Sequence, residues 1–315
     1  MSKGQRVLVI RLGAMGDIFH AMPAVASLRR GFPDAHISWI VESKWKALLK
    51  GCPFINEVLT FDRSHLIRSW RNLSDQPFDM ALDFQGLLKS GVIALASGAP
   101  KVVGYQRGQL RESYAGLFYT ECHPTNSIHM VDKHRDLAKA VGGAHSPAEF
   151  YLPPGQPEGE LPDEPFVLSC PQAGWGAKQW PASYYSELAI LLQKELGLKL
   201  VLNGPPGSDA TNHTGLPGLI WATRRAYAVI GLDSGPMHMA AAIGKPGVAI
   251  FGPTDPARNG PYGGTISVLR TSDAHTTYKR RQLEDNAMKA IDPRMVMDEL
   301  KRCLATYSQN STPTQ

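Results

Sequence analysis

Residues 7–10, VLVI, run straight into RLGAMGD at 11–17 and then into a stretch with helical spacing that reaches Arg30. An apolar strand, a glycine turn and a helix start in that order form the junction from which parallel α/β sheets are wound. The same order returns in the second half at YAVIGLDSGPMHMAAAIG, residues 227–244. Glycine at such turns lets backbone N–H groups approach a ligand closely. Two of these junctions, one in each half, point to an α/β enzyme with its work divided between two turns.

The first turn carries an acid. Asp17 stands where the helix begins, where a carboxylate would repel a pyrophosphate that the helix N-terminus would otherwise attract. It suits instead a base that takes a proton from a neutral hydroxyl. A plain helix cap is the other reading of a lone Asp at that place. Gly13 and Gly16 lie on either side of the approach, as a closely held ligand requires. His20 follows Asp17 by one helical turn, where it either orients the acid or packs.

Alternation of strand-like and helix-like segments sets the wider frame. RVLVI, HISWIV, EVLTF, MALDF and KVVGY read as short buried strands, separated by helix patterns such as HAMPAVASLRR and SKWKALLKG. This spacing predicts a parallel, doubly wound sheet. Proline, glycine and acidic residues then crowd into YLPPGQPEGELPDEP, residues 151–165. That composition reads as an exposed linker, and it divides the chain into domains 1–155 and 156–315. Beyond it FVLSCP, LKLVLNG, YAVIGLD and GVAIFG are strand candidates, with PASYYSELAILLQKEL and PMHMAAAIG as helices between them. Pro181 and Pro236 fall at first helical turns, where proline is tolerated. PRMVMDELKRCLATY is an amphipathic closing helix, and SQNSTPTQ is expected to fray.

Composition excludes several classes. With 315 residues, 43% hydrophobic and 19% charged, the chain is globular rather than disordered. No apolar run approaches the ~20 residues of a membrane span. The N-terminal apolar stretch is broken by Arg11 and Asp17 and has no signal-peptide cleavage pattern, so a cytoplasmic protein is expected. A net charge of +5 and a pI near 9.0 favour anionic substrates or a membrane surface and do not single out nucleic acid. Cys52, Cys122, Cys170 and Cys303 are too scattered for a metal site or a disulfide framework and read as reduced, mostly buried thiols.

The second turn is built for phosphate. In IGLDSGPMH, Gly235 opens the backbone, Pro236 presets the helix, and the free N–H groups with the helix dipole face a diphosphate. A simple cap by Asp233 or Ser234 is the alternative. GWGAKQWP, residues 174–181, adds Lys178, a mobile cation fit to neutralise phosphate, or a surface lysine with no role. FGPTDP, residues 251–256, is a third loop leaving a strand. Three loops at the carboxyl ends of neighbouring strands match the place where open sheets bind nucleotides. In the first half, DFQGLLKSG puts Asp83, Gln85 and Lys89 just past a strand end, facing the same cleft. YQRGQLRESYAGLFY adds Arg107 and Arg111, and Arg63, Arg68 and Arg71 add further charge, so an acidic acceptor is expected.

These stretches together resemble a known family. VLVIRLGAMGDIFHAMPA, DFQGLLKS, RESYAGLFY, GAKQWP, GLDSGPMHMAAA and FGPTDP are similar, in order and over nearly the whole chain, to the ADP-heptose-using glycosyltransferases of lipopolysaccharide core synthesis. DFQGLLKS with RESYAGLFY looks most like the type that adds the first heptose to the Kdo region of lipid A. The resemblance implies a GT-B fold, two Rossmann-like domains facing across a cleft, with acceptor bound by the first and ADP-heptose by the second. It implies that Asp17 is the general base, with Gly16, His20, Gln85, Lys89 and Arg111 on the acceptor side. It implies that Lys178, Asp233, Ser234, Gly235 and His238 hold the donor diphosphate, with Asp209 matching an acid near the ribose. No metal or other cofactor is required, since a cation and a helix dipole take its place and no Asp-x-Asp pair is present. Peripheral contact with the inner membrane follows from a lipid acceptor.

One departure and two rivals belong beside this reading. Between NGPPGSD and WATRRAYAVIG the chain offers only ATNHTGLPGLI, where the family has a helix, a strand and part of another helix. A catalytically inactive nucleotide-sugar binder in envelope assembly is therefore one rival. The other is an NAD-dependent oxidoreductase, for which Glu42 after the second strand would serve as the ribose-binding acid. LGAMGD lacks the G-x-G-x-x-G spacing of that class. QLEDNAMK near the end has no functional match.

Overall fold

The computed structural model describes residues 4–62, 73, 76–277 and 285–311, the side chains of the last stretch up to residue 309. Arg63, Arg68 and Arg71, and residues 282–284 of QLEDNAMK, lie outside the described residues. The chain divides into two compact units, Met1–Pro153 and Pro154–Gln315.

The first unit is wound around β1 (Arg6–Ile10), α1 (Met15–Gly31), β2 (His36–Glu42), β3 (Glu57–Phe61), β4 (Met80–Asp83), α2 (Leu88–Ala96), β5 (Lys101–Tyr105), β6 (Glu121–His123) and α3 (Met130–Ala140). Its strands are all parallel in the order β3-β2-β1-β4-β5-β6. Central β1 is apolar without alternation because both of its faces are covered, and residues 7–10 are wholly buried. Leu8 and Ile10 share a cluster with Ile93 and Ala94 of α2, while α1 packs along α3. Fully burying each such aliphatic side chain contributes roughly 1.5–3 kcal/mol.

Two local expectations are corrected here. SKWKALLKG forms a tight 3₁₀ segment, Ser43–Leu49, rather than an α-helix. The segment begins directly after β2 within the connection to β3, the usual setting for i→i+3 turns. Helix α1 starts at Met15, two residues ahead of the expected beginning at Asp17, which sits at its third position and accepts the N–H of Ala14 at 2.9 Å.

The second unit repeats the plan with β7 (Phe166–Ser169), α4 (Ala182–Leu196), β8 (Lys199–Gly204), β9 (Asn212–His213), α5 (Leu216–Arg225), β10 (Ala228–Leu232), α6 (Gly235–Ala242), β11 (Gly247–Ile250), α7 (Pro256–Asn259), β12 (Ile266–Leu269), α8 (Asn286–Lys289) and α9 (Pro293–Ser311). All strands are parallel in the order β12-β11-β10-β7-β8-β9. Leu188 and Leu192 of α4 and Val296, Met297 and Leu300 of α9 pack with Ile230 and Val248 on one face. Ala222 of α5 and Met237 and Ala240 of α6 pack with Phe166 and Ala249 on the other. The closing helix runs on to Ser311, beyond the point where SQNSTPTQ was expected to fray.

The shortened segment is ordered by its own amides. Strand β9 is only two residues long, and among the described residues no helix stands between it and β8. Asn212 Nδ2 donates to Asn203 Oδ1 at 2.7 Å, and Thr214 Oγ1 donates to the same oxygen at 3.1 Å. Asn212 Oδ1 in turn accepts from the N–H of Glu160 at 2.9 Å. None of the four cysteines is in a disulfide; Cys52, Cys170 and Cys303 are buried and Cys122 is exposed. No helix among the described residues is long and apolar enough to cross a membrane.

Candidate active site

Each sheet reverses its strand order once, and ligands of open α/β sheets bind at the carboxyl ends of the strands beside that reversal. In the first unit the reversal separates β1 from β4, and in the second it separates β7 from β10. The candidate residues collect at these two places.

In the first unit an arginine spans the reversal. Arg11, directly after β1 and almost fully buried, donates from Nη1 to the carbonyl of Phe84, directly after β4, at 2.7 Å. Its Nη2 meets Oδ1 of Asp17 at 2.7 Å. Asp17 Oδ2 accepts from Ala14 N, so the carboxylate is fixed by a side chain and a backbone group at once. With 42% of its side chain exposed, it still presents lone pairs to a ligand. Gln85 closes the crevice from the β4 side, where its Oε1 accepts from Leu12 N at 2.9 Å. Gly13, with φ +155°, admits no side chain, because a Cβ there would lie 2.6 Å from the indole nitrogen of Trp45.

Behind this turn lies a polar scaffold. Asp83 is wholly buried and turned inward, not toward a ligand as its place in DFQGLLKSG led us to expect. It accepts from Ser90 Oγ at 2.6 Å, Tyr119 OH at 2.7 Å and the N–H groups of Gln85 and Gly86 at 2.8 and 3.2 Å. Burial pushes its carboxyl above the usual range, against the pull of these donors. The next strand adds Tyr105, whose hydroxyl is hydrogen-bonded to Nδ1 of the buried His134. Burial, aided by the charges of Arg11, Lys133 and His129, drives the His134 ring well below its ordinary value.

In the second unit a lysine spans the reversal in the same way. Lys178, in the 3₁₀ turn Gly176–Lys178 after β7, is ion-paired with Asp233 Oδ2 after β10, and its Nζ lies 4.4 Å above the Trp175 ring centroid. At 12% exposure it is a held cation, not the mobile one expected from GWGAKQWP, because its ammonium is paired with Asp233 and lies over the Trp175 ring. Asp233 also accepts from Thr254 Oγ1 at 2.5 Å and lies 3.7 Å from His238 Nε2. Burial raises its carboxyl, but the neighbouring His238 ring and the Lys178 charge outweigh that and hold it below the usual range. Ser234 is the cap residue of α6 without a side-chain capping bond, so neither Asp233 nor Ser234 acts as a simple cap. Gly231 lets strand and helix close up, since a Cβ there would meet Met237 Cβ at 2.7 Å. The N-terminus of α6 is thus presented beside Gly235 and the Lys178–Asp233 pair.

The remaining candidates are placed as follows. Gly16 is buried in the first turn of α1. His20 is buried with its ring edge-on to His129 at 5.7 Å. Lys89 Nζ is 3.2 Å from Glu42 Oε1, and Lys44 lies 3.5 Å from the other oxygen, so Glu42 is engaged by two lysines. Arg111 and Asp209 are exposed. Sequence reasoning missed Arg11, Thr254 and the Tyr105–His134 pair. Arg11 had a readable signal, an arginine at the end of a strand with no polar alternation, where only a buried partner justifies its charge.

The family model described as glycosyltransferase family 9 (heptosyltransferase) matches residues 66–289. Lipopolysaccharide heptosyltransferase 1 of Pseudomonas aeruginosa is 27% identical over 290 residues, 82% of this chain and 81% of that protein. The enzyme of the same name from Escherichia coli K12 is 25% identical over 309 residues, 84% of this chain and 93% of its own. Among solved structures, E. coli heptosyltransferase WaaC with ADP superposes with a TM-score of 0.75 at 22% identity, covering 95% of this chain and all of that one. The glycosyl transferase family 9 protein of Veillonella parvula gives a TM-score of 0.78 at 20% identity, covering 97% and 99%. The two doubly wound parallel sheets are those of the GT-B fold. With some seven-tenths of its length matched by the family model, the chain belongs to glycosyltransferase family 9, the heptosyltransferases.

Proposed function

We propose that this chain transfers a heptose from ADP-heptose to the Kdo–heptose inner core of lipopolysaccharide, with inversion at the anomeric carbon. The observation that carries the reading is the fixed carboxylate of Asp17 at the reversal of the first sheet, paired with Arg11 and half open to a ligand. The names of the relatives, lipopolysaccharide heptosyltransferases, supply the substrate class. In this scheme domain 1–155 takes the acceptor and domain 156–315 takes the nucleotide sugar.

The acceptor hydroxyl attacks the anomeric carbon from the face opposite the diphosphate. A new C–O bond forms as the bond to the diphosphate oxygen breaks, and the bonding pair leaves with ADP. Asp17 takes the hydroxyl proton. Lys178 and the N–H groups of α6 near Ser234 and Gly235 stabilise the charge that gathers on the departing diphosphate. Asp233 and His238 hold Lys178 and the turn in place, and the exposed Asp209 serves the ribose hydroxyls. Gly16, His20, Gln85, Lys89 and Arg111 shape and charge the acceptor side, with the work done at the cytoplasmic face of the inner membrane. The test is ADP release from ADP-heptose with Kdo-bearing lipid A as acceptor. Release that depends on the acceptor supports the reading; no release with any inner-core acceptor, while ADP still binds, would identify an inactive nucleotide-sugar binder instead.

A further inference from the structure

Helix α2 turns an apolar stripe outward. Leu88, Val92 and Leu95 fall at i, i+4 and i+7, one face of a helix, and are 48%, 36% and 58% exposed. The other side of the same helix, Ile93, Ala94 and Ala96, is buried in the core. The 3₁₀ segment Ser113–Phe118 lies against α2: a Cβ on Gly91 would stand 2.6 Å from the Phe118 ring and 3.3 Å from the carbonyl of Ala115. Glu112, just ahead of that segment, accepts the N–H of Leu88 at 2.8 Å and ties the two elements together. Tyr114 and Leu117, one 3₁₀ turn apart, are 72% and 62% exposed. Single exposed apolar residues are ordinary, but five large ones on two adjoining elements mark an interaction surface.

Charge selects the partner. Residues 84–119 carry Lys89, Lys101, Arg107 and Arg111; Lys89 is paired with Glu42 and Lys101 with Glu121, so the positive rim comes from the two arginines, while the Glu112 carboxylate is engaged by the first turn of α2. Arg107 and Arg111 are exposed beside the apolar side chains. An apolar face with a basic rim and an exposed tyrosine fits the headgroup boundary of an anionic bilayer. The face also begins where Gln85 latches the Asp17 turn, so a bilayer docked there lies alongside the candidate acceptor site.

We infer that the outer face of α2 and Ser113–Phe118 docks this protein on anionic phospholipid. The purpose of the docking rests on the proposed lipid-anchored acceptor; the docking itself does not. The experiment is flotation of the full chain, without acceptor, on phosphatidylethanolamine–phosphatidylglycerol vesicles and on phosphatidylcholine vesicles. The wild type floats with the anionic vesicles, and the Leu95→Gln/Leu117→Gln double variant partitions roughly tenfold less. Arg107→Glu weakens partition in the same direction. The double variant keeps its ADP affinity and its turnover of a water-soluble, deacylated acceptor, which separates failure of docking from failure of the transferase reading. The inference is overturned if the wild type floats with neither vesicle or if the double variant floats as well as wild type. It is also overturned if light scattering finds a wild-type dimer that the double variant dissolves, since a second copy then covers the face.

Discussion

Arg11 Nη2 lies 2.7 Å from Asp17 Oδ1 while Nη1 of the same guanidinium holds the carbonyl of Phe84 at 2.7 Å, so one buried fork joins the candidate base to both strands of the sheet reversal. The fork geometry matters because a lysine would supply the charge but only one direction of bonding. Arg11→Ala is expected to lower kcat by roughly a hundredfold with little change in the donor KM, since a misplaced base costs the chemical step and not nucleotide binding. Arg11→Lys should recover part of the loss. A donor KM that rises while kcat holds would show that Arg11 serves nucleotide binding.

Lys178 and Asp233 tie the two strands of the other reversal in the same manner. Lys178→Ala should weaken ADP binding by roughly tenfold or more, read by titration calorimetry. Asp233→Asn leaves a buried lysine without its counter-charge and is expected to cost about 3 kcal/mol near neutral pH. Lys178→Met/Asp233→Asn should restore much of that stability, though not ADP binding.

The pH dependence of this pair has a definite sign. The folded carboxyl of Asp233 titrates below its ordinary value of 3.8, so the unfolded chain binds the proton first. Its contribution is complete above pH 3.8 and drains away as pH falls toward the folded value. Urea unfolding across that range should show the wild type and Asp233→Asn converging in acid. Parallel curves would contradict the assignment.

His134 acts in a different window. Its folded value lies well below the ordinary 6.5, because burial and then the Arg11, Lys133 and His129 charges disfavour the imidazolium. The unfolded ring therefore takes the proton first, and stability falls as pH drops below 6.5 by up to about 1.4 kcal/mol per pH unit. His134→Gln, which can still bond the Tyr105 hydroxyl, should flatten the stability curve between about pH 5 and 6.5. An unchanged slope would place the titrating group elsewhere.

Much of the architecture was readable because buried parallel strands leave unbroken apolar runs, and RVLVI, HISWIV and AVIGL each became a strand. The three-residue β6 and two-residue β9 were not, since strands that short carry no period. The turns holding Asp17, Lys178 and Asp233 were legible from glycine and proline. What joins them was not: the partners of Asp17 and Asp233 come from Arg11 and Thr254, residues whose meaning depends on which strands lie side by side. Asp83 was misread for the same reason, because only the folded chain brings Ser90 and Tyr119 onto its carboxylate.

The central claim is that the side chain at position 17 removes the acceptor proton and has no part in gripping nucleotide. Asp17→Asn keeps the shape of the side chain and one of its two acceptor oxygens while removing the base, so it tests that duty. Single-turnover transfer from ADP-heptose and calorimetric ADP affinity, measured on the same preparation, decide the matter. We predict transfer slowed by roughly a thousandfold with ADP affinity unchanged; transfer at the wild-type rate, or ADP binding lost with it, would contradict the account.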